Sequence, residues 1–162
     1  MDTLFENRYT RTKKIMREYC GYMFFRRPSM RICDLLLVFF VVSSILLGSS
    51  PVIAVVLLLT AAAQVLAYVY TPAAMQKRDA EAASGGTITV ESAATDDLLR
   101  FQVSNGAAQE LPYAKKKKVV QTKRLILINS EAKLWYILPK DTFTKGTAED
   151  FLAFLKTKGI GK

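Results

Sequence analysis

The chain has 162 residues, 51% of them hydrophobic and 23% charged, with 23 Lys and Arg against 14 Asp and Glu for a net charge of +9. That length holds one domain and an appendage, which excludes a large multidomain enzyme, and the basic excess suits an anionic lipid, a nucleic acid or an acidic protein as partner. His is absent, so His-based triads and the commonest metal ligand are excluded, and two cysteines supply neither a disulfide framework nor a four-ligand zinc site.

Residues 1–31 form a basic juxtamembrane segment, with eight Lys or Arg against three Asp or Glu. Phe5, Tyr9, Thr12, Met16, Tyr19 and Met23 recur at spacings of four and three. That period predicts an amphipathic helix, lying either on the inner membrane surface or on the chain's own folded domain. Thr10 is a candidate N-cap, which leaves residues 3–8 for a short strand. Cys20 and Cys33 are expected to be free thiols in a reducing compartment.

Residues 32–47 hold one charge, Asp34, and residues 51–70 hold none. As helices they run roughly 24 Å and 30 Å, against a hydrocarbon core of about 30 Å. Gly48, Ser49, Ser50 and Pro51 join them too tightly for anything but an antiparallel hairpin. The expectation is a two-helix membrane hairpin over residues 32–48 and 51–70. Arg26 and Arg27 precede it, Lys77 and Arg78 follow it, and the connecting loop is uncharged. The positive-inside rule then places the protein in the cell membrane with both termini cytoplasmic. Facing positions in such a hairpin sum to about 99, which brings Asp34 and Gln64 within reach of one another.

Residues 71–86 read as a helical extension ending in the join Ser84-Gly85-Gly86. From Thr87 the period becomes two. Strands are expected around Ile88 and Val90, at 99–103, at 109–111, at 119–121, at 125–128 and at 134–138, the last at the sheet centre. Asn105-Gly106 is a tight-turn dipeptide. Thr147 opens a final helix with Asp150 three residues on, and Gly159 is placed to end it. The fold class is therefore α+β: a membrane hairpin, then a small antiparallel β domain over residues 87–162 closed by a C-terminal helix.

The run from Leu134-Trp135-Tyr136 through Pro139-Lys140-Asp141-Thr142-Phe143, followed by Glu149-Asp150-Phe151, resembles the C-terminal signature of the YcxB-like family. The order of basic leader, two membrane helices and compact β domain is similar as well. The resemblance implies a pleckstrin-homology-like fold in which a helix caps a bent sheet, and a structural role for Pro139, Lys140, Asp141 and Phe143. It implies no activity.

No catalytic or metal-ligating constellation emerges, and no cofactor is implied, because no nucleophile has a paired base in reach. The tract Lys115, Lys116, Lys117 and Lys118 is either a solvated loop or a contact with anionic lipid, summing with Lys77, Arg78, Arg26 and Arg27. Aromatic residues do not interleave with these lysines, which argues against nucleic acid. The expectation is a non-catalytic, membrane-anchored binding or regulatory module whose partners are anionic inner-leaflet lipids and a protein or a second copy of the chain. The alternative is an immunity protein whose hairpin intercepts a membrane-active peptide or toxin.

Overall fold

A computed structural model describes residues 2–26, 28–48, 51–84, 86–104, 106–113, 118–130 and 134–160. The chain divides into two compact units, one made of Met1–Ile15 with Gln76–Lys162 and the other of Met16–Met75. The first unit therefore draws on both ends of the sequence, where the sequence pattern suggested a domain confined to 87–162.

That β unit contains the strands β1 (Phe5–Thr10), β2 (Thr89–Ala94), β3 (Leu98–Val103), β4 (Gln109–Pro112), β5 (Lys118–Gln121), β6 (Leu125–Asn129), β7 (Trp135–Pro139) and β8 (Phe143–Lys145). They form a five-stranded sheet in the order β4-β3-β2-β1-β8 and a three-stranded sheet in the order β5-β6-β7. Every pairing is antiparallel. Register follows the alternation: Tyr9 lies opposite Val90, which lies opposite Val103, and Asn7 opposite Ser92, which lies opposite Phe101. Asn7, Tyr9, Val90, Ser92, Leu99 and Phe101 are buried, while Glu6, Arg8, Glu91 and Arg100 between them are exposed.

Three expectations change here. Phe5 and Tyr9 belong to a strand, so the helical stripe assigned to residues 5–23 starts only after Thr12; the alternation of Phe5, Asn7 and Tyr9 with Glu6, Arg8 and Thr10 is a period of two that the longer period concealed. Thr10 is the last residue of that strand, and it is the Thr12 hydroxyl that accepts from Ile15 N at the head of the next helix (3.4 Å). β7 lies at an edge of its sheet, and β6 is the centre, with Leu125, Ile126, Leu127 and Ile128 all buried. A strand covered on both faces reads as a continuous apolar run, and 125–128 fits that description better than 135–139.

The helix α4 (Ala148–Thr157) closes the core. Thr147 caps it by accepting from Asp150 N, and the chain leaves through Gly159 at φ +75°, where Ile160 N donates to Leu155 O. Phe151 is fully buried with the rings of Phe5 and Phe143 each 5.5 Å away, and Phe154 meets Phe5 and Tyr113. Asn7 ties the two sheets together from inside: its Nδ2 donates to Pro139 O (2.8 Å) and its Oδ1 accepts from the Thr142 hydroxyl (3.2 Å).

The other unit is helical. It draws on α1 (Lys13–Gly21), a π-helical turn (Tyr22–Arg26), α2 (Pro28–Leu46) and α3 (Pro51–Ala82). Cys20 Sγ lies 4.0 Å from Met75 Sδ, and the Tyr68 ring meets those of Phe24 and Phe25 at 6.3 Å and 4.8 Å. α3 continues through Pro72 to Ala82, so residues 71–82 form the helical extension that the sequence suggests. One helix, over Val55–Ala82, is long and apolar enough to cross a membrane, where the sequence reading expected two. α2 has 19 residues, about 28 Å at 1.5 Å per residue, and does not qualify as such a helix by itself.

Candidate functional site

A cleft of about 220 Å³ is lined by residues of both sheets, among them Tyr9, Val103 and Trp135. Strand β1 places Tyr9 in it, β3 places Phe101 and β7 places Trp135 and Tyr136. The Phe101 and Tyr136 rings stack at 4.3 Å with an interplanar angle of 22°. Tyr136 donates its hydroxyl hydrogen to Gln109 Oε1 (2.9 Å), a bond that links β7 to β4 and thus one sheet to the other.

Arg11 brings a charge to this lining. Its Nη1 lies 3.2 Å from Asp79 Oδ1, on the last turns of α3. The pair is partly buried, with the Arg11 side chain 31% exposed and that of Asp79 20%. Arg11 Nε and Asp79 Oδ2 are both buried without a hydrogen-bond partner among the described residues. Burial raises the Tyr9 hydroxyl to a pKa of about 12, although the neighbouring Arg11 guanidinium acts in the opposite direction. Burial raises Tyr136 as well, and raises Tyr113 together with the negative charge of Asp96. These phenols are neutral donors at physiological pH, suited to holding a ligand rather than to attacking one. Cys20 is likewise a raised, buried thiol.

The outer face of the five-stranded sheet is a second, wider concavity of about 640 Å³, in which Arg8 pairs with Glu91 at 3.1 Å. Both partners are more than half exposed, so the pair contributes little to stability.

The basic residues read from the sequence fall in different places. Lys115, Lys116, Lys117 and Arg27 lie outside the described residues. Lys118 is exposed at the start of β5, Lys77 and Arg78 are exposed on α3, and Arg26 is exposed at the end of the π-helical turn. Lys77 lies 4.0 Å from Glu81 one turn on. In the helical unit, Gln64 Nε2 donates to Asp34 Oδ1 at 2.6 Å, so α2 and α3 bring together the two polar residues that hairpin geometry had placed opposite one another.

No protein-family model, curated protein or solved structure matches the chain. The run Pro139-Lys140-Asp141-Thr142-Phe143 forms the corner from β7 to β8. Pro139 O accepts from Asn7 and from Thr142, Lys140 Nζ donates to Gln121 Oε1 (3.3 Å), and Phe143 packs on Phe151. Thr142, not Asp141, carries the bonding of this turn; Asp141 is exposed. Among the described residues no three His, Cys, Asp or Glu side chains are grouped to hold a metal.

Sequence reading missed Tyr9, Arg11 and Asp79 as a set because 68 residues separate the ion pair. One signal was available. Trp135 and Tyr136 open an otherwise aliphatic strand, and Trp and Tyr, with an apolar ring and a polar handle, are enriched where one end of the side chain stays accessible.

Proposed function

We propose that the chain is a membrane-anchored, non-catalytic binding module whose two-helix hairpin holds the β unit at the inner face of the cell membrane, with both termini in the cytoplasm. The observation that carries this is the exposure of apolar side chains on both hairpin helices. Leu35 is 70% exposed, Leu46 78% and Leu59 64%, and only 6% of the most apolar stretch of α3 is buried. The core helix of a water-soluble protein buries such residues, whereas lipid solvates them. The Asp34–Gln64 bond supports the same reading, since polar side chains in hydrocarbon bond to one another across helices.

Two packed antiparallel sheets closed by a terminal helix, together with the order of the parts, support the YcxB-like and pleckstrin-homology-like assignment as the working one. Anionic lipid is the partner of the exposed basic residues Arg26, Lys77, Arg78 and Lys118, each worth about 1 kcal/mol near a charged leaflet.

Topology is the test. Cys20 is only 2% exposed and stays silent to a thiol reagent on either side of the membrane, so it reports nothing. Leu47 is 80% exposed at the end of the hairpin and Cys33 is exposed near its base. A membrane-impermeant maleimide added to intact cells is expected to label Leu47→Cys and to reach Cys33 only after permeabilisation. Labelling of Cys33 from outside, or recovery of the full-length chain in the supernatant without detergent, would overturn the reading.

A further inference from the structure

The outer face of the five-stranded sheet carries a charge pattern that anchoring does not use. One row crosses it in register: Lys145 on β8 lies opposite Glu6 on β1, Glu6 opposite Ala93 on β2, Ala93 opposite Arg100 on β3, and Arg100 opposite Glu110 on β4. The signs run plus, minus, none, plus, minus. All four charged residues are exposed, and the small Ala93 between them is half-buried. Glu6, Arg100 and Glu110 form no ion pair among the described residues, and the Lys145 ammonium bonds to Thr3 O.

Taken in reverse, this row is its own complement. A two-fold axis running along β2 over Ala93 turns a second copy face to face with the first and reverses the order of its strands. Glu6 then faces Arg100 of the second copy, Glu110 faces its Lys145, and Ala93 faces its counterpart. Packed sheets lie about 10 Å apart, a gap that a Glu and an Arg side chain reaching toward each other can close. There is room for them: the hollow of about 640 Å³ on this face is lined by Ala93, with Glu6, Arg8, Arg100 and Gln102 around it. In the next row Glu91 meets its own counterpart, but Arg8 already holds it at 3.1 Å. Over the two rows, three acidic residues balance three basic ones in a chain of net charge +9, so this face brings copies together without the repulsion of the chain as a whole. A neutral face of alternating sign suits neither anionic lipid nor nucleic acid.

We propose that the outer face of the five-stranded sheet is the contact between two copies of this chain, paired about a two-fold axis through Ala93 by reciprocal Glu6–Arg100 and Glu110–Lys145 contacts. Exposed ion pairs of this kind select a partner more than they bind it tightly. Confinement to one membrane raises the effective concentration of copies, and for that term alone the inference rests on the membrane reading.

The experiment cross-links the full-length chain in its own membranes. Ala93→Cys, the position that meets itself, is combined with Cys33→Ser, while Cys20 stays buried and silent. A bismaleimide that spans roughly the 10 Å between facing sheets is added. Covalent dimers are expected on a denaturing gel. Glu6→Arg and Arg100→Glu, each alone on this background, set like charges against one another twice over and are expected to reduce the dimer at least about tenfold. Co-expressed with different tags, these two variants are complementary again, and a heterodimer is expected at the level of the unswapped chain. One chain carrying both changes is expected to recover as well, which decides the matter should either single variant fail to fold.

The inference is overturned if Ala93→Cys gives no dimer, if either folded single variant cross-links as well as the unswapped chain, or if both the mixed pair and the doubly changed chain stay monomeric. Recovery of the chain in the supernatant without detergent strikes the membrane reading instead, and the same charge-swap comparison then decides the contact on the soluble chain.

Discussion

A glycine at the corner before α4 has no substitute. Gly146 has φ +75°, in the left-handed region, and a Cβ built on it runs into the Phe5 ring. Gly159 has the same φ but open space around it. Gly146→Ala is therefore expected to cost about 1 kcal/mol in backbone strain plus another 1–3 in overpacking, and Gly159→Ala the first of these alone. Thermal midpoints followed by Trp135 fluorescence check this; equal losses at the two sites would refute the Phe5 contact. Tyr9 makes a pH-dependent contribution with a definite sign. Its hydroxyl titrates at about 12 against an ordinary value of 10.0, so burial of the neutral phenol favours the fold fully below pH 10. As pH rises from 10 toward 12 the unfolded chain loses the proton first, and stability falls by about 1.4 kcal/mol per pH unit. Tyr9→Phe is expected to remove that part of the alkaline decline. A variant as steep as the parent above pH 10 would show that Tyr9 ionises as freely in the fold as out of it.

The elements differ in how plainly their sequence announces them. α4 was legible end to end because its cap, its apolar face and its terminal glycine are local chemistry. β1 was legible only in part: residues 3–8 were open to a short strand, but Phe5 and Tyr9 also satisfy a four-residue spacing, and pairing with Ala94 and Val90 selects the strand over Phe5–Thr10. The short β8 was missed for a related reason: Phe143–Lys145 has three residues and becomes a strand only beside β1. The join of α2 to α3 was legible in the shared polar positions Asp34 and Gln64, whose spacing about the hairpin turn is geometric. Their bond is open to a double-mutant cycle. Asp34→Ala, Gln64→Ala and the double variant are expected to show a coupling of about 0.6 to 2 kcal/mol in a detergent-unfolding titration followed by ellipticity. Additive losses would mean that each side chain bonds to backbone instead.

At the scale of the whole molecule, the β unit is assembled from two distant stretches, and this sets what can fold. β1 lies between β2 and β8. It supplies Asn7, the side chain bonded to both Pro139 and Thr142, and Phe5, which packs on Phe151 and Phe154 of α4. Without β1 the larger sheet loses its continuity, the inward face of β2 loses its neighbour, and Pro139 O loses its donor from Asn7. A domain beginning at residue 87, as composition suggests, lacks all three. Its small size made a need for N-terminal packing foreseeable, but the sequence could not say that the need was for a strand inside the sheet. The fragment 76–162 is therefore expected to lack a cooperative unfolding transition. Joining residue 15 to residue 76 through a flexible Gly-Ser linker, in place of 16–75, is expected to restore one, with dispersed amide resonances. Cooperative folding of 76–162 alone would show that β1 only decorates the sheet. Failure of the joined chain would show that the β unit depends on the helical segment for more than connecting its strands.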